Sequence, residues 1–190
     1  MRLGRRGAIS LAVAAISCVA FVHFCVRIVP ADAPKVDRPR ELPAEEGALL
    51  IPVEGVPPSA LTDTFTQARQ QGARRHDAID IPAARGRAVL AVADGRIERI
   101  FWSERGGRTL YQRSVDGTRL YYYAHLDAYA PGLAEGRAVR RGQRLGTVGA
   151  TGNADPAAPH LHFEVHAMAP GEPWYGGRPL NPYPLLARSR

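Results

Sequence analysis

Cysteine is nearly missing from this chain of 190 residues: the two present, Cys18 and Cys25, both lie in an apolar N-terminal run. Everything after Cys25 is cysteine-free. That excludes structural disulfides, cysteine-ligated metals and a cysteine nucleophile from the remainder. There is no His-Glu-x-x-His, which removes the helical zinc motif of one large group of metalloproteases, and no Gly-x-Ser-x-Gly elbow to mark a serine hydrolase. Apolar spacing of the helical kind is almost absent. The formal charge is +7 at pH 7, but Arg2, Arg5, Arg6 and Arg27 belong to the N-terminal segment. Setting those four aside from 25 basic residues leaves 21, against 18 acidic ones. Arg74-Arg75 and Arg140-Arg141 are doublets, not a basic stripe interleaved with aromatics, so nucleic acid is not an expected partner.

What is present begins with a run of 19 uncharged residues, Ala8 to Val26, preceded by Arg2, Arg5 and Arg6. As a helix it would rise about 28 Å, close to the hydrocarbon thickness of a bilayer. An uncleaved transmembrane helix within residues 1–29 is therefore the first expectation. A cleaved signal ending at Ala31-Asp32-Ala33 is the second, disfavoured by Pro34, and a lipoprotein acylated at Cys18 is the third. The arginines place the N-terminal end in the cytoplasm and the rest of the chain, beyond the apolar run, on the far side of the membrane. Residues 30–47 carry Pro30, Pro34, Pro39 and Pro43 and read as a semi-rigid spacer. Extended, they would reach on the order of 55 Å. Residues 48–190 remain as one domain.

That domain reads as all-β. Apolar runs at Val89–Ala93, Arg96–Trp102, Thr109–Val115, Thr118–Leu126, Arg137–Val139, Gln143–Val148 and His160–His166 alternate with turn signals. Asp94-Gly95 and Asp116-Gly117 are read as hairpin turns, and Gly106-Gly107 as a turn signal before Thr109–Val115. Helix is limited to short turns near Ser59–Phe65 and Asp127–Tyr129. Short strands at this spacing predict an antiparallel β-sandwich or a barrel-like sheet.

Histidine is scarce, and its distribution is the most informative feature. Of six histidines, His160, His162 and His166 fall in Pro159-His160-Leu161-His162-Phe163-Glu164-Val165-His166. In a strand, alternate side chains share a face. His160, His162, Glu164 and His166 line one side, and Leu161, Phe163 and Val165 anchor the other. His76-Asp77-Ala78-Ile79-Asp80 puts an imidazole and a carboxylate on one face of an extended segment. His125 ends a tyrosine-rich strand, where alternation groups it with Tyr121 and Tyr123. Together these segments supply two nitrogens and a carboxylate for a metal, with two imidazoles to spare. Glu164 shares a face with His162 and reads equally as a partner that orients its ring or as a solvated strand residue. His166 reads as an exposed strand end.

The set resembles the lysostaphin/LytM-type zinc metallopeptidases of peptidoglycan. The resemblance rests on His76–Asp80, Tyr123-Ala124-His125-Leu126, the Gly146–Gly152 turn region and Pro159–Val165, with lesser matches at Ile51–Gly55 and Val89–Ile97. It implies one zinc ion held by His76, Asp80 and His162, with His125 and His160 as the catalytic pair. It also implies endopeptidase action on peptidoglycan cross-links or stem peptides. With the N-terminal segment, it places the domain in the periplasm or extracytoplasmic space, anchored in the inner (cytoplasmic) membrane. A non-catalytic regulator that binds and activates another cell-wall hydrolase is the alternative. Such relatives typically lose zinc ligands, whereas all five positions are filled here. A phosphocarrier role for His125 and His160 is disfavoured by export. Two departures from the family pattern stand out: Ala78 replaces a usual Gly, and Asn153–Ala158 is longer than the common short run. Both bear on the walls of the groove rather than on the metal chemistry.

Overall fold

The computed structural model describes residues 49–69 and 74–187. The expected membrane segment over 1–29 and the spacer over 30–47 lie outside the described residues. Among the described residues no helix is long and apolar enough to cross a membrane.

Among the described residues antiparallel pairing dominates and almost no helix is present. A 3₁₀ turn at Pro58–Ala60 precedes β1 (Ala68–Arg69) and β2 (Arg74–Arg75), which pair only with each other. Then come β3 (Ile79–Pro82), β4 (Ala88–Leu90), β5 (Gly95–Ser103), β6 (Gly107–Ser114) and β7 (Arg119–Tyr129). After them lie β8 (Ala138–Val139), β9 (Arg144–Val148), β10 (His160–Ala167), β11 (Arg178–Leu180) and one short helix, α1 (Tyr183–Leu186). The main sheet runs β11-β10-β7-β6-β5-β8, with β3 beside β10 and with β9 joining β4 to β7. β7 is the longest strand and pairs with β10 through Ala124, then with β9 from Leu126 onward. The candidate-site histidines of β7 and β10 gather at that handover.

Two expectations need correction. Asp94-Gly95 does not close a hairpin: β4 pairs with β9, and β5 pairs with β6 and β8. The Asp94 carboxylate instead accepts the Arg141 amide at 2.7 Å, tying down a crossing between partners distant in sequence. Asp127–Tyr129 is not a helical turn but the end of β7. By contrast, Gly106-Gly107 and Asp116-Gly117 do turn hairpins, between β5 and β6 and between β6 and β7.

The core lies on the sheet face that carries Ile79, Ile81, Leu110, Tyr121, Tyr123, Leu126, Leu161, Phe163 and Val165, all at most 1 % exposed. Burying each such side chain contributes roughly 1.5–3 kcal/mol. One polar pair sits inside. Tyr123 donates its hydroxyl proton to Gln112 Oε1 at 2.7 Å and accepts the Val92 amide at 3.1 Å, while Gln112 Nε2 donates to the Ala93 carbonyl at 2.7 Å. These bonds keep buried polar groups partnered, as a low-dielectric interior requires.

Candidate metal and catalytic site

β10 delivers its histidines as alternation predicts. Leu161, Phe163 and Val165 are buried, and His160, His162 and Glu164 face an open cavity of about 750 Å³. His76 and Asp80 reach the same place by a less direct route. The chain is not extended between them, because Asp77 has φ 58° and β3 begins only at Ile79. The two still converge. Thr64 holds the arrangement: its carbonyl accepts His76 Nδ1–H at 3.0 Å, and its hydroxyl accepts the Asp80 amide at 3.1 Å.

His125 departs from simple alternation. Leu110 pairs with Tyr123 and Arg108 with Leu126, so Thr109 alone opposes Ala124 and His125. This is a β-bulge, with His125 at φ 60°. The extra residue flips the parity of β7. Tyr121 and Tyr123 stay in the core, whereas Tyr122 and His125 line the cavity. The Gly146–Gly152 region fixes the bulge: the Thr151 carbonyl accepts His125 Nδ1–H at 2.8 Å, and the Thr151 hydroxyl donates to the Leu126 carbonyl at 2.8 Å. Gly152 allows this approach. It has φ +74°, and a Cβ there would lie 2.3 Å from the Gly107 nitrogen.

The donor geometry is compact. His76 Nε2 lies 3.0 Å from Asp80 Oδ1, His162 Nδ1 lies 3.0 Å from the same oxygen, and the two nitrogens are 3.2 Å apart. Tetrahedral zinc with bonds of 2.0–2.1 Å separates its ligands by about 3.3 Å, so the triangle fits such an ion. These three residues are a group able to hold a metal. Each imidazole is fixed by its other nitrogen. His76 Nδ1–H donates to Thr64, His125 Nδ1–H to Thr151, and His160 Nδ1–H to the Ala158 carbonyl at 2.9 Å, while His162 Nε2–H donates to Glu164 Oε1 at 2.9 Å. A neutral ring held in this way points its lone pair inward.

Electrostatics are set by burial and the carboxylates. Burial works to raise the Asp80 carboxyl, but hydrogen bonds from His162 and His76 overcome it and hold it well below the usual range. Burial likewise opposes ionisation of Glu164, yet its bonds to His162 and His166 keep it at about 2. Burial would strip the proton from His162, but the Asp80 and Glu164 carboxylates raise it to about 9. A metal would therefore compete with a proton at His162 Nδ1. Burial pushes His125 down to about 4, reinforced by His162 and His160 and only partly offset by the Thr151 carbonyl, so this ring is neutral at pH 7.

His166 is not the exposed strand end expected from the sequence. Its Nε2–H donates to Glu164 Oε2 at 2.7 Å, and its Nδ1 is buried without a hydrogen-bond partner among the described residues. Glu164 thus bridges two imidazoles. Asn153, Ala154 and Asp155 of the long insertion form one cavity wall. Sequence reasoning missed Thr64, Thr151 and Tyr122. Only the clustered glycines around Gly106-Gly107 and Gly149–Gly152 hinted that two loops come close together.

Residues 74–182 match the sequence profile of peptidase family M23, more than half of the chain, and the protein belongs to that family. Over 129 residues it is 33 % identical to the L-Ala–D-Glu endopeptidase of Bacillus subtilis (strain 168), covering 65 % of this chain and 38 % of that protein. Over 108 residues it is 33 % identical to the murein hydrolase activator NlpD of Escherichia coli (strain K12), covering 57 % of this chain and 25 % of NlpD. The catalytic domain of the antimicrobial peptidase lysostaphin from Staphylococcus simulans superposes with a TM-score of 0.55 at 26 % identity, covering 68 % of this chain and 92 % of that one. The chain thus spans well under half the length of the two curated relatives.

Proposed function

We propose that this chain is a zinc-dependent endopeptidase that hydrolyses peptide bonds in peptidoglycan cross-links or stem peptides. The observation that carries the reading is the convergence of His76 Nε2, Asp80 Oδ1 and His162 Nδ1 on one point, beside His125 and His160 in a single open cavity. His76, Asp80 and His162 would hold the ion. When bound, zinc would supply Lewis-acid polarisation of the scissile carbonyl and acidify a water. His125 and His160 stand with ring centres 4.9 Å apart, and each is anchored through Nδ1 to a carbonyl. Their Nε2 atoms are left for work in the cavity that both residues line. One would take the proton of the attacking water and later return it to the leaving amine; the other, carrying a proton on Nε2, would donate a hydrogen bond to the carbonyl oxygen as it gains charge. Glu164 keeps the His162 ring turned toward the ion position.

The test is a digest of cross-linked peptidoglycan by the full chain, with zinc and with a chelator, read by mass spectrometry of the muropeptides. Chelator-sensitive loss of one defined peptide bond is expected. No cleavage by folded, zinc-loaded protein would favour the second reading, a regulator that activates another hydrolase, for which the likeness to NlpD is the supporting observation. The complete set of five site residues argues for the enzyme. The N-terminal apolar run supports an inner-membrane anchor with the domain outside the cytoplasm, and a topology reporter fused after Arg190 that read as cytoplasmic would refute that placement.

A further inference from the structure

Away from the histidines the cavity floor turns aromatic. Tyr122 stands edge-on to His162 with ring centres 6.1 Å apart, and Tyr111 lies 4.6 Å beyond Tyr122. Trp174 packs 5.2 Å from Tyr111 and 5.6 Å from Phe101, with the Arg99 guanidinium 5.9 Å from its ring. Tyr175 meets Trp174 edge-on at 5.5 Å and is 74 % exposed. The rings form an unbroken path from the metal ligands to solvent.

The loop that carries the last two rings is braced. The Glu172 carboxylate accepts the Ala169 and Gly177 amides at 2.7 Å each, and Arg113 donates to the Glu172 carbonyl at 3.0 Å. Gly177 has φ +89° and sits where a Cβ would be 2.5 Å from Met168 Sδ, so the loop closes tightly. A ring 74 % exposed gains little from the core. Tyr111 and Tyr122 line the cavity, and Trp174 and Tyr175 carry the ring path beyond it on a fixed loop, where an exposed aromatic is available for contact.

We propose that Trp174 and Tyr175, continued inward by Tyr111, form a glycan subsite that stacks on the pyranose rings of an N-acetylhexosamine polymer. The inference rests on the peptidase reading and deepens it. Stem peptides of peptidoglycan carry small or charged side chains, so the broad C–H faces that match an aromatic platform belong to its sugars. The Tyr175 hydroxyl and the Arg99 guanidinium, whose Nη1 is held by Glu135 at 3.1 Å and whose other donors remain, add polar groups for sugar hydroxyls and acetamido carbonyls. The sugar chain would lie over the aromatic end of the groove while the peptide enters the histidine end.

The probe is glycan strands stripped of their stem peptides, titrated against the full-length chain by calorimetry. Tyr175→Ala weakens binding roughly five-fold, the scale of one aromatic contact. Trp102, 59 % exposed on the other face of β5 and covered by Arg108, lies off the ring path. Trp102→Ala keeps wild-type affinity. Trp174→Phe, which preserves ring packing in the loop, retains more affinity than Trp174→Ala. No binding of the strands, unchanged affinity in Tyr175→Ala, or an equal loss in Trp102→Ala overturns the proposal. The probe has no peptide bond, so the two readings fail separately. A chain that cuts a sugar-free cross-linked peptide without binding glycan sinks this inference alone, and one that binds glycan but cuts no peptide sinks the enzyme.

Discussion

β10 and β7 lie side by side and both carry histidine to the cavity, but by opposite means. β10 obeys strict alternation, so Leu161, Phe163 and Val165 fill the core while His160, His162 and Glu164 face out. β7 breaks alternation at a bulge, and His125 reaches the same cavity only because one extra residue reverses its side. The first arrangement is fixed by the hydrophobic pattern of the strand itself. The second depends on a clamp from a remote loop, through Thr151 and Gly152. The pattern-built strand supplies a proposed metal ligand, and the clamp-built one supplies a proposed proton carrier.

Breaking each side of that contrast should give separable losses. The largest belongs to β10: His162→Ala is expected to abolish zinc binding and peptidase activity together, read by metal content and by muropeptide release. Removing one of three ligands leaves no catalytic zinc site of the usual kind. Next comes β7: His125→Ala should keep zinc bound while turnover falls about 100-fold or more. Wild-type turnover in that variant would refute the assignment.

Smaller effects sharpen the comparison. Glu164→Gln should weaken zinc about 10–100-fold by competition with a chromogenic chelator, because the carboxylate that orients His162 becomes a neutral amide. His166→Ala should have the same sign and a smaller size, since it acts on Glu164 and not on the metal; an unchanged zinc affinity would leave His166 without that role. Gly152→Ala should destabilise the fold by about 1–3 kcal/mol in thermal melts, from the strained φ and the overlap with Gly107. It should lower turnover more than zinc affinity, because it loosens the clamp on β7 and leaves β10 intact. Equal losses in both readouts would mean that the two strands are not independent.

The same contrast explains how much was legible in the sequence. The strands β4 to β10, the antiparallel class and five candidate residues that share one cavity could be read, because local period and scarce histidine both report on single segments. The short strands β1, β2, β3 and β11 carry too little pattern to be seen. His125 was found by residue type and grouped with the wrong tyrosines, since a bulge reverses parity without leaving a mark in composition. Asp94-Gly95 misled because its turn chemistry is local, whereas the partner of β4 lies more than fifty residues away in β9. Thr64 and Thr151 were invisible for a similar reason. A single threonine gains meaning only when folding brings its carbonyl to an imidazole. His166 looked like a solvated end because its acceptor, Glu164, was already credited to His162.

The buried Tyr123–Gln112 bond has a consequence for how reliably the chain folds. A slip of one residue between β6 and β7 would turn every side chain of β7 over and send its histidine toward the interior. A slip that puts Ala124 in the place of Tyr123 removes the phenol that fills that part of the core. It would also leave Gln112 Oε1 in the core without the hydroxyl it accepts from, at a cost of about 1–3 kcal/mol. The pair therefore acts as a proofreading contact. It favours the native register over that slip and so keeps His125 on the cavity side without lining the cavity itself.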